Sequence, residues 1–568
     1  MDKLILLLLI STAFVVAQAK VVLPNYITDN MVVQRNSVMK ITGHASSGSK
    51  VNVIAGWDSR SREVKADSEG KFDISLDTPD AGGPYSIIIA DKDSKVKVGN
   101  VLSGELWLCS GQSNMEFPVD GWTSVMDADH VVSTARNPDI RLLQVKKRVA
   151  FSPQDDIETN MGGWVEAAPN TMDFSAIAYL YAKELRDSLK VPVGVIDATW
   201  GGTPAEAWTS YGFLKGVPGF EGELSAMESC GFDTSRLREN YEKEMGVWMK
   251  LAQKGGEEIR PGDKLTGNVL PADYFERIGF GNGFDGIVWV QKEIDVPAED
   301  AGKPMTLKLG AIDDEDVTYL NGVDFSSLPK KPASIEGSSY PTVLYNAMIH
   351  PLRNLPIKGV LWYQGCANVG RAEQYETLFK SLINNWRDTW DSEFPFYFVQ
   401  LAGWLAPHSV QPDSEWAALR NAQSKALQLP NTAMVSAIDL GNPRDIHPRD
   451  KQTVAHRLAL TALGRDYGFD TNYKAPQCIS MQKMGNKIVL KFDDDLTATS
   501  VAILGFIIGD ADGDFDQAVA RMADSRTLEL YSPLVKKPVC VRYDWADFPN
   551  GNLYSRHGIP VAPFATDK

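Results

Sequence analysis

From about residue 101 onward, short apolar runs alternate with segments of helical period, and each apolar run stops in a polar or glycine-bearing turn. Val193 to Ala198, Lys358 to Tyr363, Phe394 to Leu401 and Ala433 to Ile438 read as strands. Phe174 to Leu189 sets Ile177, Tyr181, Leu185 and Leu189 on one helical face. Further helices are expected around Gln374 to Trp390 and from about Asp450 to Leu463. Strands that are apolar throughout must be covered on both faces. The alternation therefore predicts the α/β class, with a parallel sheet between layers of helices.

The first strand of the series carries the most chemistry. Glu105-Leu106-Trp107-Leu108-Cys109 runs into Ser110-Gly111-Gln112-Ser113-Asn114-Met115. A glycine at the strand end permits a sharp bend, so the Ser113 hydroxyl can stand above the sheet. Gly201-Gly202, Asn368 and His447 each follow the carboxyl end of a different expected strand. That rim is where open α/β sheets bind ligands. Serine is a weak nucleophile until a base within hydrogen-bond reach takes its proton. His447 is the candidate base, and Pro448 after it holds the chain extended. The N–H groups of Ser113 and Gly202 and the side-chain amide of Asn368 are candidate donors to an oxyanion. An acid that fixes the imidazole tautomer completes such a site, and both Asp445 and Asp439 qualify.

The blocks Gly111-Gln112-Ser113-Asn114-Met115, Gly201-Gly202-Thr203-Pro204-Ala205-Glu206-Ala207-Trp208, Trp362-Tyr363-Gln364-Gly365 and Asp445-Ile446-His447-Pro448 resemble those of the sialate O-acetylesterases. That family lies within the SGNH hydrolases, named for Ser, Gly, Asn and His in four separate blocks. The resemblance runs from about Leu23 to Phe564. It implies an SGNH-type, flavodoxin-like parallel sheet core with accessory β-sandwich modules. It also implies Ser113 as nucleophile, His447 as base, and Gly201 or Gly202 with Asn368 as oxyanion donors. Gln112 and Gln364, inside the matching blocks, are expected at the substrate. The expected activity is removal of O-acetyl groups from a carbohydrate, sialic acid first, with no cofactor and no metal. Another acetylated glycan such as xylan, or a carbohydrate-binding protein of weakened activity, are the alternatives.

The sequence departs from this pattern at named places. Gly365-Cys366-Ala367-Asn368 stands where the family usually has Gly-Glu-Ser-Asn, and Asp445 precedes His447 by two residues rather than three. Gly286 to Val323, with Tyr319-Leu320-Asn321-Gly322, resembles the start of a β-galactosidase-like sandwich, after which the sequence passes to Tyr340 to Leu352.

Charge narrows the partners. A net charge of −16 and a pI near 5.0 argue against nucleic acid or an anionic membrane. Lys3, the apolar stretch Leu4 to Val16 and Ala17-Gln18-Ala19 read as an export signal, too short to span a bilayer, so a periplasmic or secreted protein is expected. The five cysteines are widely spaced and suggest neither a metal site nor a disulfide framework. The acidic run Gly509 to Asp516 fails the register of a calcium loop, with Phe515 and Arg521 where Gly and Glu belong, and reads as a hairpin turn. The expected partition is a leader over 1–19, an N-terminal β-sandwich over 20–100, core segments over 101–215 and 345–470, an insertion over 216–344, and a C-terminal β region over 471–568.

Overall fold

The computed structural model describes residues 21–254 and 337–568, with short pieces at 319–320 and 323–324. The chain divides into two compact units, one formed by Met1–Thr234 with Glu336–Lys568 and the other by Ser235–Ile335. The Thr234–Lys254 helix leads into the second unit, where Tyr319–Leu320 pairs antiparallel with Val323–Asp324. The expected leader and most of the expected galactosidase-like segment lie outside the described residues.

The first unit is built on one large sheet. Its strands lie side by side in the order Thr432–Ser436, Phe396–Gln400, Gly359–Tyr363, Lys95–Gly111, Val193–Thr199, Asn137–Gln144 and Val165–Ala167. All neighbours are parallel except the last pair. Without Asn137–Gln144 and Val165–Ala167, the order is the 2-1-3-4-5 arrangement of flavodoxin-like folds. Val193–Thr199, Gly359–Tyr363 and Phe396–Gln400 are buried along their whole length, as a sheet covered on both faces requires. The covering helices are Ala176–Leu189, Ala372–Trp390, Glu415–Ser424 and Lys451–Asp466. Ser175, Ser414 and Asp450 cap three of them, each accepting a backbone N–H from the first turn.

The central strand, Lys95–Gly111, is 17 residues long and serves two layers. Its first half pairs antiparallel with Gly82–Ala90 and parallel with Val32–Gln34, strands of the N-terminal β module. Its second half is the middle of the core sheet. At the other end of the chain, Ile488, Leu490, Leu528, Leu530, Val541 and Tyr543 fill the core of a β region. In that region Phe506–Gly509 and Phe515–Gln517 close an antiparallel hairpin, with the Asp510 carboxylate accepting the N–H groups of Asp512 and Asp514. The acidic run is thus a hairpin turn.

Candidate active site

Gly111 ends the central strand at φ 137°, and a Cβ there would lie 2.2 Å from the Tyr363 carbonyl oxygen. Only glycine fits between the two strands while turning this way. The turn delivers Ser113 to the start of a four-residue helical turn, Ser113–Glu116. Ser113 Oγ lies 2.8 Å from His447 Nε2. The other ring nitrogen of His447, Nδ1, is 3.4 Å from the Asp445 carboxylate, which also accepts the His447 backbone N–H at 2.9 Å. Asp445 is therefore the acid beside the imidazole. Asp439 lies elsewhere: Arg457 clamps both its oxygens, at 2.8 and 2.7 Å.

Ser113 and His447 line a cleft of about 670 Å³, together with Gln112, Trp122, Lys147, Trp200, Gly202 and Cys366. Gly202, at φ 73°, would place a Cβ in open space, so its backbone borders the cleft without obstruction. The Gly201 N–H is already taken, donating to Glu116 Oε2 at 2.6 Å. The other oxygen of Glu116 holds Lys147 Nζ at 2.5 Å, and that ammonium lies 5.9 Å from the Trp200 ring centroid. Trp122 stands edge-on to His447 at 5.7 Å and leaves 57% of its surface exposed at the rim.

The remaining expected residues sit behind the cleft. Asn368 is fully buried; its Oδ1 accepts from Ala205 N–H and Gln364 Nε2, and its Nδ2 donates to Glu206 at 2.9 Å. Glu206 holds Arg371 with its second oxygen, and its first takes one of the two N–H bonds of the Asn368 amide. Gln364, also fully buried, donates to the Thr203 carbonyl and accepts from Tyr375. Neither residue is among those lining the cleft. Gln112 does line it, but its Oε1 accepts from the backbone of Gly365 and Ala367 and so ties two of the loops together.

The electrostatics suit a neutral imidazole. Burial pulls His447 below its ordinary value; the Asp445 carboxylate works against that and the Lys451 ammonium with it. Burial pushes the Cys366 thiol up to about 12, so it stays protonated and filler rather than nucleophile is its chemistry. Among the described residues no group of His, Cys, Asp or Glu has the arrangement to hold a metal ion, all five cysteines are free, and no helix is long and apolar enough to cross a membrane.

Glu116, Trp122, Lys147, Trp200 and Lys451 escape a reading for motifs. Two of them carried a positional signal: Glu116 follows Ser113 by three residues in one helical turn, and Lys451 follows His447 by four.

Residues 332–463 match the family described as carbohydrate esterase, sialic acid-specific acetylesterase. The sialate O-acetylesterase of Mus musculus is 28% identical over 478 residues, which are 78% of this chain and 73% of that protein. That of Homo sapiens is 28% identical over 481 residues, covering 78% of this chain and 71% of the human protein. The crystal structure of a carbohydrate acetylesterase from Xanthomonas citri superposes with a TM-score of 0.71 at 30% identity, over 96% of this chain and all of that one.

Proposed function

The chain belongs to the sialate O-acetylesterase family of carbohydrate esterases, and from that premise we propose that it removes O-acetyl groups from a sugar through an acetyl-serine on Ser113. It is a carboxylic ester hydrolase. The observation that carries the serine mechanism is the 2.8 Å contact between Ser113 Oγ and His447 Nε2, both of which line the cleft.

His447 Nε2 takes the hydroxyl proton as Oγ attacks the acetyl carbonyl carbon. The carbonyl electrons move onto oxygen, and the N–H groups of Ser113 and Gly202 face that charge. Gly202 stands in for Gly201 of the family pattern, because Glu116 already accepts the Gly201 N–H, while Asn368 Nδ2 gives one N–H to Glu206 and keeps a second. The imidazolium returns its proton to the sugar oxygen as the ester C–O bond breaks. Water then repeats the sequence on the acetyl-serine and releases acetate. Asp445 beside Nδ1 keeps the ring in the tautomer whose Nε2 is basic.

O-acetylated sialic acid is the first substrate, on the strength of the family. A neutral acetylated glycan has its own support. Among the described residues lining the cleft, Lys147 is the one lysine or arginine, and Glu116 already pairs with it, which leaves a sialic acid carboxylate no unshared cation there. Export to the periplasm or beyond rests on the leader-like residues 1–19, and amino-terminal sequencing of the mature protein beginning near Lys20 would support it. Acetate release from O-acetylated sialic acid and from acetylated xylan, with wild type and Ser113→Ala, tests the whole reading. Release that falls by about 10³-fold or more in the variant is expected. Release that survives the substitution ends the serine mechanism, and the preferred member of the pair decides the sugar.

A further inference from the structure

Lys451 is a fully buried lysine in an electrostatically wrong place. It is the first residue of the Lys451–Asp466 helix, where the helix dipole disfavours a cation. Burial pulls its ammonium down to about 7, with Cys366, Asp445 and Asp450 each working the other way. Fold stability alone gives no reason to keep it, since buried charges are commonly replaced by apolar side chains without loss. Its contacts supply a different reason. Lys451 Nζ donates to Asn114 Oδ1 at 2.6 Å, and Asn114 Nδ2 donates to the Ile446 carbonyl at 3.0 Å. Asn114 is the neighbour of Ser113, and Ile446 is the neighbour of His447. The rings of Phe117 and Tyr363 flank the ammonium, with centroids at 4.6 and 5.6 Å. Phe117 follows the serine turn, and Tyr363 ends the adjacent strand.

We propose that Lys451 is a positioning residue of the esterase, tying the serine turn to the histidine loop through Asn114. This rests on the reading of Ser113 and His447 as nucleophile and base. The strap is short and directional. The ammonium can only donate, so the Asn114 oxygen must face it and the Asn114 amide must face Ile446. Holding both neighbours of the reacting pair fixes the Ser113–His447 separation, to which rate is steeply sensitive. The charge has a second effect. The groups that bear on His447 are Asp445, Lys451 and Glu116, and of these only Lys451 opposes protonation of the ring. Below about pH 7 Lys451 is charged, so the effect is present where the imidazole begins to take up a proton.

The test is kcat, KM and the pH profile of acetate release by full-length wild type, Lys451→Met and Lys451→Gln, with thermal melting of each. For K451M the expected result is a kcat lower by about 10- to 100-fold at similar KM. The acid limb of kcat/KM should move to higher pH by about half a pH unit or more. Tm should fall by no more than a few degrees, because the apolar chain suits the aromatic rings while Asn114 Oδ1 loses its donor. K451Q keeps a donor for Asn114 without the charge, and should move the limb in the same direction with a smaller loss of kcat. A K451M enzyme with wild-type kcat and acid limb overturns the proposal. So does one that loses kcat only in step with Tm while its limb stays in place. If neither variant folds, the wild type decides: an acid limb at or above the ordinary histidine value near 6.5 overturns it. Activity retained in Ser113→Ala would instead remove the serine mechanism and leave the strap as geometry alone.

Discussion

Asp445 and Asp439 compete for one role in the sequence and hold different ones in space. Asp445 stands beside His447 Nδ1, while Asp439 neutralises Arg457. Asp445→Asn should lower kcat by about 10² to 10⁴. Its carboxylate raises the imidazole, so removing it moves the acid limb of kcat/KM to lower pH, the opposite direction from a Lys451 change. Asp439→Asn should leave kcat within about twofold yet cost about 3 kcal/mol by stranding Arg457, which steady-state kinetics and thermal melting separate. Trp122, exposed over the cleft rim, offers a flat apolar face to a sugar ring. Trp122→Ala is expected to raise KM by about 10-fold with little change in kcat, the pattern of lost uniform binding. The meeting of Ser113 and His447 was legible because both lie in turns just past strand ends and histidine is scarce in the chain. The partners of the Asn368 and Gln364 amides were not, because an amide has two chemically opposite ends, and Glu206 and Tyr375 help decide which way each points.

Among the elements, the continuous apolar runs announced their strands, and the structure has them within one or two residues. Asn137–Gln144 escaped because Pro138, Asp139 and Arg141 interrupt its apolar pattern. Arg141 is nonetheless buried, its guanidinium spent on the carbonyls of Pro138, Asn30 and Asn100. Val501 to Phe506 reads as a strand by composition, yet Val501 is fully exposed and the strand runs over Phe506–Gly509 instead. The Val193–Thr199 strand carries the one acidic residue of its run, Asp197, fully inside the sheet. Burial raises its carboxyl to about 7, and Thr199 holds one oxygen at 2.6 Å. A carboxyl raised in the native state stabilises it fully below the unfolded value near 3.9, and that contribution is lost as pH rises through about 7. Asp197→Asn should therefore melt within about a degree of wild type at pH 5 and a few degrees higher at pH 8, by differential scanning calorimetry.

For the whole molecule, the sharing of Lys95–Gly111 removes any joint between the N-terminal β module and the core. Leu102 to Gly104 pair with Val32 to Gln34 within a few residues of the point where Glu105 begins its pairing with Val193. Cutting the chain at residue 100 strips neighbours from a strand that has no other partners on that side, exposing an edge. A protein beginning at residue 101 is expected to lack a cooperative melting transition by circular dichroism, whereas the longer protein melts its module and core together. A soluble, active 101–568 protein would contradict this.

An unbroken strand through two layers is also a load path. Tension on a polymer gripped by the module would run along Lys95–Gly111 and be resisted in shear by ladders on both halves, with nothing slack to absorb it. The force would arrive at Gly111, the turn that carries the nucleophile. Stretched by optical tweezers, module and sheet should rupture in a single event, and a pull too weak for rupture should strain the serine before any other part of the cleft.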